Sequence, residues 1–276
     1  MADWSGPEER PPLVCLPGFT RNSRDFEELA QALTGRRRLI CPDLAGRGES
    51  DRLADPAGYT MATYLAHLRG LCAALDLRSI SVLGVSMGGL LAMGLAADPF
   101  VRVHDLVIVD VGPRVPATAF DLLDLYLQKD HSFAGFESLL AHVKRYFAAC
   151  NLDSELAWRW FALRGARKGD DGGYVPDYDP AIRVAFRSDL RGMETAWPAY
   201  DGIVARTLVL RGEQSHVLPA DVAEEMTRRG PRATLVTVPG TGHWPALVKP
   251  GETELVAVFL DGRDPASGAH QTAPSA

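Results

Sequence analysis

The segment Gly84-Val85-Ser86-Met87-Gly88 lies between an apolar run and a segment with the residue pattern of a helix. A G-x-S-x-G sequence in this context predicts a sharp strand-to-helix turn that strains the serine backbone and exposes its hydroxyl. Side chains at the two glycine positions would collide with neighbouring backbone. The start of the helix directs amide groups and the positive end of its dipole at a forming oxyanion. The segment therefore predicts a nucleophilic Ser86, and the alternative is an ordinary glycine-rich turn with a capping serine.

Apolar runs alternate with helical segments on both sides of this turn. Near-continuous apolar runs are typical of strands that are covered on both faces. The alternation therefore predicts an α/β fold with a mostly parallel sheet. The predicted strands are Leu13–Leu16, Leu39–Cys41, Ser79–Val85, Leu106–Val109, Thr207–Leu210 and Thr234–Val238, and the predicted helices between and after them are Asp25–Leu33, Thr60–Leu75, Met87–Ala97, Ala220–Arg228 and Gly251–Leu260.

The alternation stops between residues 113 and 198, where the sequence predicts helices and no strand. Insertions after the carboxyl end of a strand commonly overhang the ligand crevice of such a sheet, so we interpret this one as a lid, with structural padding as the alternative. The predicted division is a core of residues 1–112 and 201–262, a helical cap over 113–200 and a flexible tail over 263–276. The predicted cap elements are helices at Asp121–Leu127, Phe136–Phe147 and Leu156–Leu163 and a loop at Lys168–Pro180.

The charge balance disfavours several classes of partner. The 29 Lys and Arg residues against 35 Asp and Glu residues leave a net charge of −6, whereas nucleic-acid binders usually present a basic face. The N-terminal residues carry acids and lack the apolar stretch of a secretory signal. The longest apolar stretch, around Leu90–Ala97, is too short to span a membrane. We therefore expect a cytoplasmic protein that acts on a small molecule, without nucleic-acid or membrane partners, and the sequence leaves its oligomeric state open.

Neither the cysteines nor the acidic residues show a metal-binding pattern. The four cysteines are widely spaced and form no C-x-x-C pair, so they indicate neither a zinc site nor a disulfide framework. The acidic stretch from Asp170 to Asp179 lacks the spacing of an EF-hand and is interpreted as a solvated loop of the cap. The sequence therefore predicts no metal site, and the chemistry proposed below needs no cofactor.

A serine nucleophile needs a base, because its free hydroxyl stays protonated at neutral pH. His243 lies in the glycine-rich segment Gly240–Pro245, just after the last predicted strand. A loop at the carboxyl edge of the sheet can reach a serine at the same edge, and the other six histidines lack that placement. Serine first and histidine near the C-terminus is one of the known triad orders, so His243 is the predicted base.

Four segments together resemble the α/β-hydrolase fold superfamily, specifically its single-domain members with a helical cap. They are Leu16-Pro17-Gly18-Phe19, the Asp43–Ser50 segment D-L-A-G-R-G-E-S, the serine turn and Gly240-Thr241-Gly242-His243. The resemblance covers nearly all of Leu13–Leu260. It implies an oxyanion hole made of the backbone amides of Phe19 and Met87. Since relatives usually begin with a hairpin for which twelve residues leave little room, we expect a reduced sheet of about six strands.

The acidic residue of the triad is missing from the position at which the resemblance places it. Relatives usually place an aspartate three or four residues beyond the glycine that ends the strand at Thr207–Leu210, where this chain has Ser215 and His216. Some relatives take the acid from the tip of the preceding core strand, which here is Asp110. Glu213, earlier in the turn, is the alternative acid, and a site without any acid is a third reading. His216 is then an extra polar group facing the site, with no defined role.

These residues favour a serine hydrolase that cleaves a small, fairly apolar carboxylic ester through an acyl-enzyme. Two alternatives stay open: hydrolysis of a carbon–carbon bond with the same Ser/His pair, and a non-catalytic ligand-binding protein on a hydrolase scaffold. Fold alone does not decide among them. The candidate acyl-pocket residues are aromatic side chains of the insertion: Trp158, Trp160, Phe161 and Trp197.

Overall fold

A computed structural model gives the structure of the protein over residues 1–128, 131–189, 195–243, 247 and 249–265. Within these ranges the chain forms nine strands, of which seven form one central sheet in the order β1-β3-β2-β4-β5-β8-β9. The strands are β1 (Ala2–Trp4), β2 (Leu13–Leu16), β3 (Leu39–Cys41), β4 (Ser79–Val85), β5 (Arg102–Val109), β6 (Ala166–Lys168), β7 (Tyr174–Pro176), β8 (Arg206–Gly212) and β9 (Thr234–Val238).

The sheet is parallel throughout except for β1, which pairs antiparallel with β3. Successive side chains of a strand point to opposite faces. Val14 and Leu16 of β2 accordingly belong to one apolar core, and Leu13 and Cys15 belong to a second core on the other face. Burial on both faces explains why the strands are apolar without alternation.

Helices cover both faces of the sheet. The helices α2, α3 and α9 contribute buried residues to the core that contains Val14, whereas α1 and α10 contribute to the core that contains Leu13. In the described ranges the α-helices are α1 (Glu27–Ala32), α2 (Met61–Ala74), α3 (Met87–Ala96), α4 (Ala117–Leu127), α5 (Phe136–Tyr146), α6 (Glu155–Arg164), α7 (Ile182–Ser188), α8 (Trp197–Asp201), α9 (Ala220–Met226) and α10 (Pro250–Leu260). Short 3₁₀ helices lie at Ser23–Phe26, Pro56–Gly58 and Ala148–Cys150.

The central sheet has one strand more than the six expected. The additional strand is β1, which pairs with β3 from Ala2 opposite Cys41 to Trp4 opposite Leu39. Three residues are too few to show a hydrophobic period, and the strand is held by main-chain pairing and by the ion pair between Arg38 and Asp3 at 2.7 Å. The short N-terminal segment therefore supplies one antiparallel edge strand.

The insertion also differs from the prediction, because it contains the hairpin of β6 and β7 where a loop was expected. Each strand has only three residues, and glycines occupy much of the turn between them, so neither strand shows a strand pattern. Asp177 and Asp179 were predicted to be solvated but are buried. Asp177 accepts hydrogen bonds from Asn22 and Arg24, and Asp179 accepts one from the Tyr59 hydroxyl at 2.6 Å. The acidic stretch thus attaches the insertion to the core.

A second set of contacts attaches α6 to α1 and to the loop that follows β2. The Arg164 guanidinium pairs with Glu28 at 2.6 Å and with Glu27 at 2.7 Å. Arg21 pairs with Asp25 and donates to the carbonyl of Phe161 at 3.1 Å. Contacts with α6 of the insertion therefore hold the segment that follows β2 in place.

Two further sequence predictions concern the ends of the chain and its environment. The predicted tail over 263–276 lies outside the described residues from 266 onward. None of the helices found in the described ranges combines the length and the apolar character needed to cross a bilayer.

Candidate active site

Ser86 occupies a tight turn between β4 and α3. Its backbone has φ 53° and ψ −118°, in the positive-φ region that residues with a Cβ rarely adopt. A Cβ on Gly84 would lie 2.1 Å from the carbonyl oxygen of Gly88, and a Cβ on Gly88 would lie 2.1 Å from that of Leu16. The two glycines are therefore required by backbone contact on both sides of the serine. The turn places Ser86 at the carboxyl edge of the sheet, in the strained conformation that the sequence predicts.

This contact gives a stability prediction for Gly88. Since the Leu16 carbonyl belongs to a buried central strand and cannot move freely, Gly88→Ala is expected to lower the free energy of unfolding by about 3 kcal/mol. The matched control is Gly70→Ala in α2, where an added Cβ meets nothing within 4 Å. That helix substitution should stabilise the protein by about 0.5–1 kcal/mol. Urea unfolding of both variants measures the difference, and equal stabilities would contradict the assigned contact.

The loop after β9 brings His243 to Ser86. His243 Nε2 lies 3.1 Å from Ser86 Oγ. Two residues of the insertion, Ala149 and Asn151, hold this loop in place. The N–H of Gly242 donates to the carbonyl of Ala149 at 2.8 Å. The Asn151 side chain donates to the carbonyl of Gly240 at 3.0 Å. The predicted nucleophile and base are therefore within hydrogen-bond distance across more than 150 residues of sequence.

Asp110 completes a chain of three side chains. It follows β5, has φ 53° and is fully buried. Its Oδ2 lies 2.8 Å from His243 Nδ1, and its Oδ1 accepts the N–H of Gly212 at 2.8 Å. An ionised carboxylate only accepts hydrogen bonds, so His243 carries its proton on Nδ1. Nε2 then accepts the Ser86 hydroxyl proton, which is the arrangement needed for general-base catalysis.

The other candidate acid, Glu213, points elsewhere. Its carboxylate accepts the N–H of Gly240 at 2.8 Å. This contact holds the start of the loop that carries His243. Ser215, at the position where relatives usually carry the acid, donates its hydroxyl to Asp110 Oδ2 at 2.6 Å. The same hydroxyl accepts the N–H of Leu218 at 3.0 Å. Ser215 thus contacts the carboxylate oxygen that faces His243.

The two predicted oxyanion donors border the same cavity as Ser86. Met87 begins α3, so its N–H has no carbonyl partner within the helix. Phe19 lies on the loop after β2, and its carbonyl accepts Arg47 Nε at 2.9 Å. Arg47 is buried and also contacts the Tyr64 hydroxyl. Burial lowers the pKa of Arg47 from its ordinary value. The loop that carries Phe19 is therefore held from behind by a buried guanidinium.

A cavity of about 330 Å³ opens at Ser86 and His243. Apolar side chains from α4, from the end of α5 and from the core form most of its wall. On α4, Leu122 and Leu125 are 56% and 57% exposed, which is unusual for leucines of a helix. The apolar lining residues are Phe19, Met87, Leu90, Val111, Val115, Ala119, Phe120, Leu122, Leu123, Leu125, Phe147, Ala149 and Val217.

The aromatic residues predicted for the acyl pocket do not line this cavity. Trp160 is largely exposed on α6, whereas Phe161 is buried against Phe147 and beneath Arg21. Trp158 packs on Phe161, and Trp197 packs on Tyr200. None of the four is among the described residues that line the cavity. The signal that was missed is α4, which is apolar around most of its circumference and therefore has apolar surface left after packing on the core.

His216 is the residue for which the sequence defined no role. Its side chain lines the cavity, and its ring centroid lies 5.7 Å from that of His243. Partial burial and the neighbouring His243 lower the pKa of His216, and Asp110 opposes the shift. The shift favours the neutral imidazole, which has one N–H to donate.

A mostly parallel sheet covered on both faces, with a serine turn and a histidine loop at its carboxyl edge, defines a protein of the hydrolase type of α/β fold. The chain belongs to the alpha/beta hydrolase fold family, which it matches over residues 11–250. The predicted superfamily and fold class are thereby confirmed.

Three similar proteins show the range of the family around this chain. The 3-hydroxybutyrate-oligomer hydrolase of Cupriavidus necator is 35% identical over 94% of this chain and 92% of its own length. The 2-(acetamidomethylene)succinate hydrolase of Mesorhizobium japonicum is 29% identical over 91% of this chain and 88% of its own. The crystal structure of an alpha/beta hydrolase from Novosphingobium aromaticivorans has a TM-score of 0.87 at 35% identity, covering 94% of this chain and 92% of that one.

Proposed function

We propose that this protein is a serine hydrolase that cleaves small, fairly apolar carboxylic esters. The observation that carries the proposal is the contact series from Asp110 Oδ2 through His243 to Ser86 Oγ, at 2.8 Å and 3.1 Å. A buried carboxylate that orients an imidazole toward a serine hydroxyl is the arrangement by which serine hydrolases activate their nucleophile.

In the proposed reaction, Ser86 Oγ attacks the ester carbonyl while His243 Nε2 takes its proton. The backbone N–H groups of Phe19 and Met87 stabilise the oxyanion of the tetrahedral intermediate. His243 then gives the proton to the departing alcohol oxygen, which leaves an acyl group on Ser86. A water molecule, deprotonated by His243, attacks this acyl group, and collapse of the second intermediate releases the acid and restores the hydroxyl of Ser86.

The cavity supports an ester with apolar groups. The described part of its lining contains no lysine or arginine, so a strongly anionic substrate would find no opposite charge there. The relative from Cupriavidus necator is named for an oligomer of a hydroxy acid, and the units of such an oligomer are joined by ester bonds. We also propose that residues 113–200 act as a cap, since α4 and the end of α5 form much of the cavity wall.

Hydrolysis of a carbon–carbon bond next to a carbonyl is a second candidate for the same Ser86 and His243. It is supported by a similar protein of Pseudomonas sp. (strain CF600), a 2-hydroxymuconate semialdehyde hydrolase that is 29% identical over 85% of this chain and 80% of its own length, because that substrate name contains neither an ester nor an amide. The neutral lining of the cavity favours the ester. Parallel assays of p-nitrophenyl butyrate and a neutral 1,3-diketone distinguish the two reactions.

Labelling with a fluorophosphonate tests whether the protein is an enzyme at all. The probe reacts with a serine only when the serine is activated, so the tag is expected on the peptide that contains Ser86 and on no other serine. Mass spectrometry of the digested protein locates the tag, and Ser86→Ala and heat-unfolded protein are the controls. Folded protein that remains unlabelled and hydrolyses no ester would contradict the proposal and favour a ligand-binding protein.

A further inference from the structure

His216 is a polar group at the site for which the proposed reaction has no use. It lies on the segment after β8, is exposed at the cavity and faces His243 with a ring separation of 5.7 Å. In the part of the chain that the structure describes, its imidazole makes no hydrogen bond. Its N–H lies beside the proposed catalytic base, so it is placed to bind a substrate group that also lies near His243.

The departing alcohol is the group that both histidines can reach. His243 must return its proton to the alcohol oxygen, so this oxygen comes within about 3 Å of Nε2. The His216 ring is 5.7 Å from the His243 ring, centroid to centroid. A substituent a few bonds beyond the alcohol oxygen is therefore long enough to reach His216 from there.

The surrounding wall offers few competing polar groups. The Tyr126 hydroxyl has a hydrogen bond with Tyr178. Ser86 and His243 contact each other, and Thr20 lies beside Phe19 on the oxyanion loop. Thr20 and Tyr146 also bring hydroxyls to this wall. Among the described lining residues, His216 is the donor whose ring lies beside that of His243. An alcohol that carries an acceptor oxygen would make a contact there that a purely hydrocarbon alcohol lacks.

We propose that His216 recognises the alcohol portion of the ester, by donating an N–H to a carboxyl oxygen carried on the second carbon from the ester oxygen. This inference rests on the proposed ester hydrolysis and narrows its substrate class to esters of 3-hydroxy acids. Such alcohols arise when the substrate is a dimer or oligomer of a 3-hydroxy acid, as in the name of the relative from Cupriavidus necator. A neutral imidazole can donate to a free carboxylate or to the carbonyl of the next ester unit, so the proposal covers both kinds of alcohol.

Three esters with one acyl group test the proposal. They are 3-(butanoyloxy)butanoate, its methyl ester and sec-butyl butanoate, in which a methyl group replaces the carboxyl group. His216→Phe is expected to lower kcat/KM for the first two about five- to tenfold, mainly through KM, because one hydrogen bond is lost. Its kcat/KM for sec-butyl butanoate should stay within about twofold of the wild type. His216→Asn, which keeps an N–H donor, should recover part of the loss.

The neighbouring variant Gln214→Ala is the matched control, because Gln214 is exposed on the same segment and lies outside the cavity lining. It should match the wild type on all three esters. Equal losses for His216→Phe on all three esters would overturn the proposal and make His216 a support for His243. Unchanged rates would overturn it as well, and a loss confined to the free carboxylate would replace it with recognition of charge. Failure of the proposed function has a separate signature, since the wild type itself would then hydrolyse none of the esters.

Discussion

Substitution of Ser86 by alanine is expected to lower kcat for p-nitrophenyl butyrate by about a millionfold, and adding His243→Ala to that variant should lower it little further. The two side chains are 3.1 Å apart and act on one proton. Once the hydroxyl is gone, the imidazole has no nucleophile to activate. Residual hydrolysis should remain above the rate in water, because the backbone donors of the oxyanion hole and the cavity are unchanged.

Initial rates of the two single variants and the double variant measure this dependence, and circular dichroism verifies that each is folded. Ser86 contributes to the turn chiefly through its backbone, so loss of its hydroxyl should leave the fold intact. A double variant that is a further thousandfold slower than each single variant would show that Ser86 and His243 work independently. That result would contradict a shared nucleophile and base.

Asp110→Asn is expected to lower kcat about 10,000-fold, because an amide can donate to His243 Nδ1 and stabilise the wrong tautomer of the imidazole. In that tautomer Nε2 carries the proton and cannot accept one from Ser86. The matched control is Glu213→Gln, which alters a carboxylate that, among the described residues, accepts a hydrogen bond from the backbone of Gly240. We expect less than about a tenfold loss for that variant, since the glutamine side-chain oxygen can still accept this N–H and the contact is an exposed one.

The comparison decides between the two acids that the sequence leaves open. If Glu213→Gln lost most of its activity while Asp110→Asn kept it, the assignment of Asp110 would be wrong. Fluorophosphonate labelling rates give a second measurement, because they depend on the activated serine and not on substrate release. They should fall in parallel with kcat for Asp110→Asn.

The sequence predicts the fold well where strands are buried on both faces. The bounds of β2 and β3 agree with the prediction to the residue, because each is a continuous and fully buried apolar run. Elements held mainly by main-chain pairing, namely β1 and the hairpin of β6 and β7, were missed. Helix α4 begins at Ala117, four residues before its predicted start, because Pro116 precedes it without a side-chain cap that would mark the boundary.

The residues of the candidate triad could be predicted because the chemistry demands particular side chains at the ends of strands. Ser86, Asp110 and His243 each follow a strand whose end lies at the same edge of the sheet. The cavity wall could not be predicted in the same way, because any apolar side chain can serve there and only the packing of the insertion decides which do. Trp158 was chosen by residue type, whereas Leu122 and Leu125 line the cavity by position.

The contact between Ser215 and Asp110 means that the ends of β5 and β8 meet at a single carboxylate, with the Ser215 hydroxyl 2.6 Å from Asp110 Oδ2. An aspartate in place of Ser215 would exchange a hydrogen-bond donor for a second negative charge next to Asp110, and two adjacent carboxylates disfavour each other's ionised form. The two strand ends are therefore suited to one acid between them and not to two.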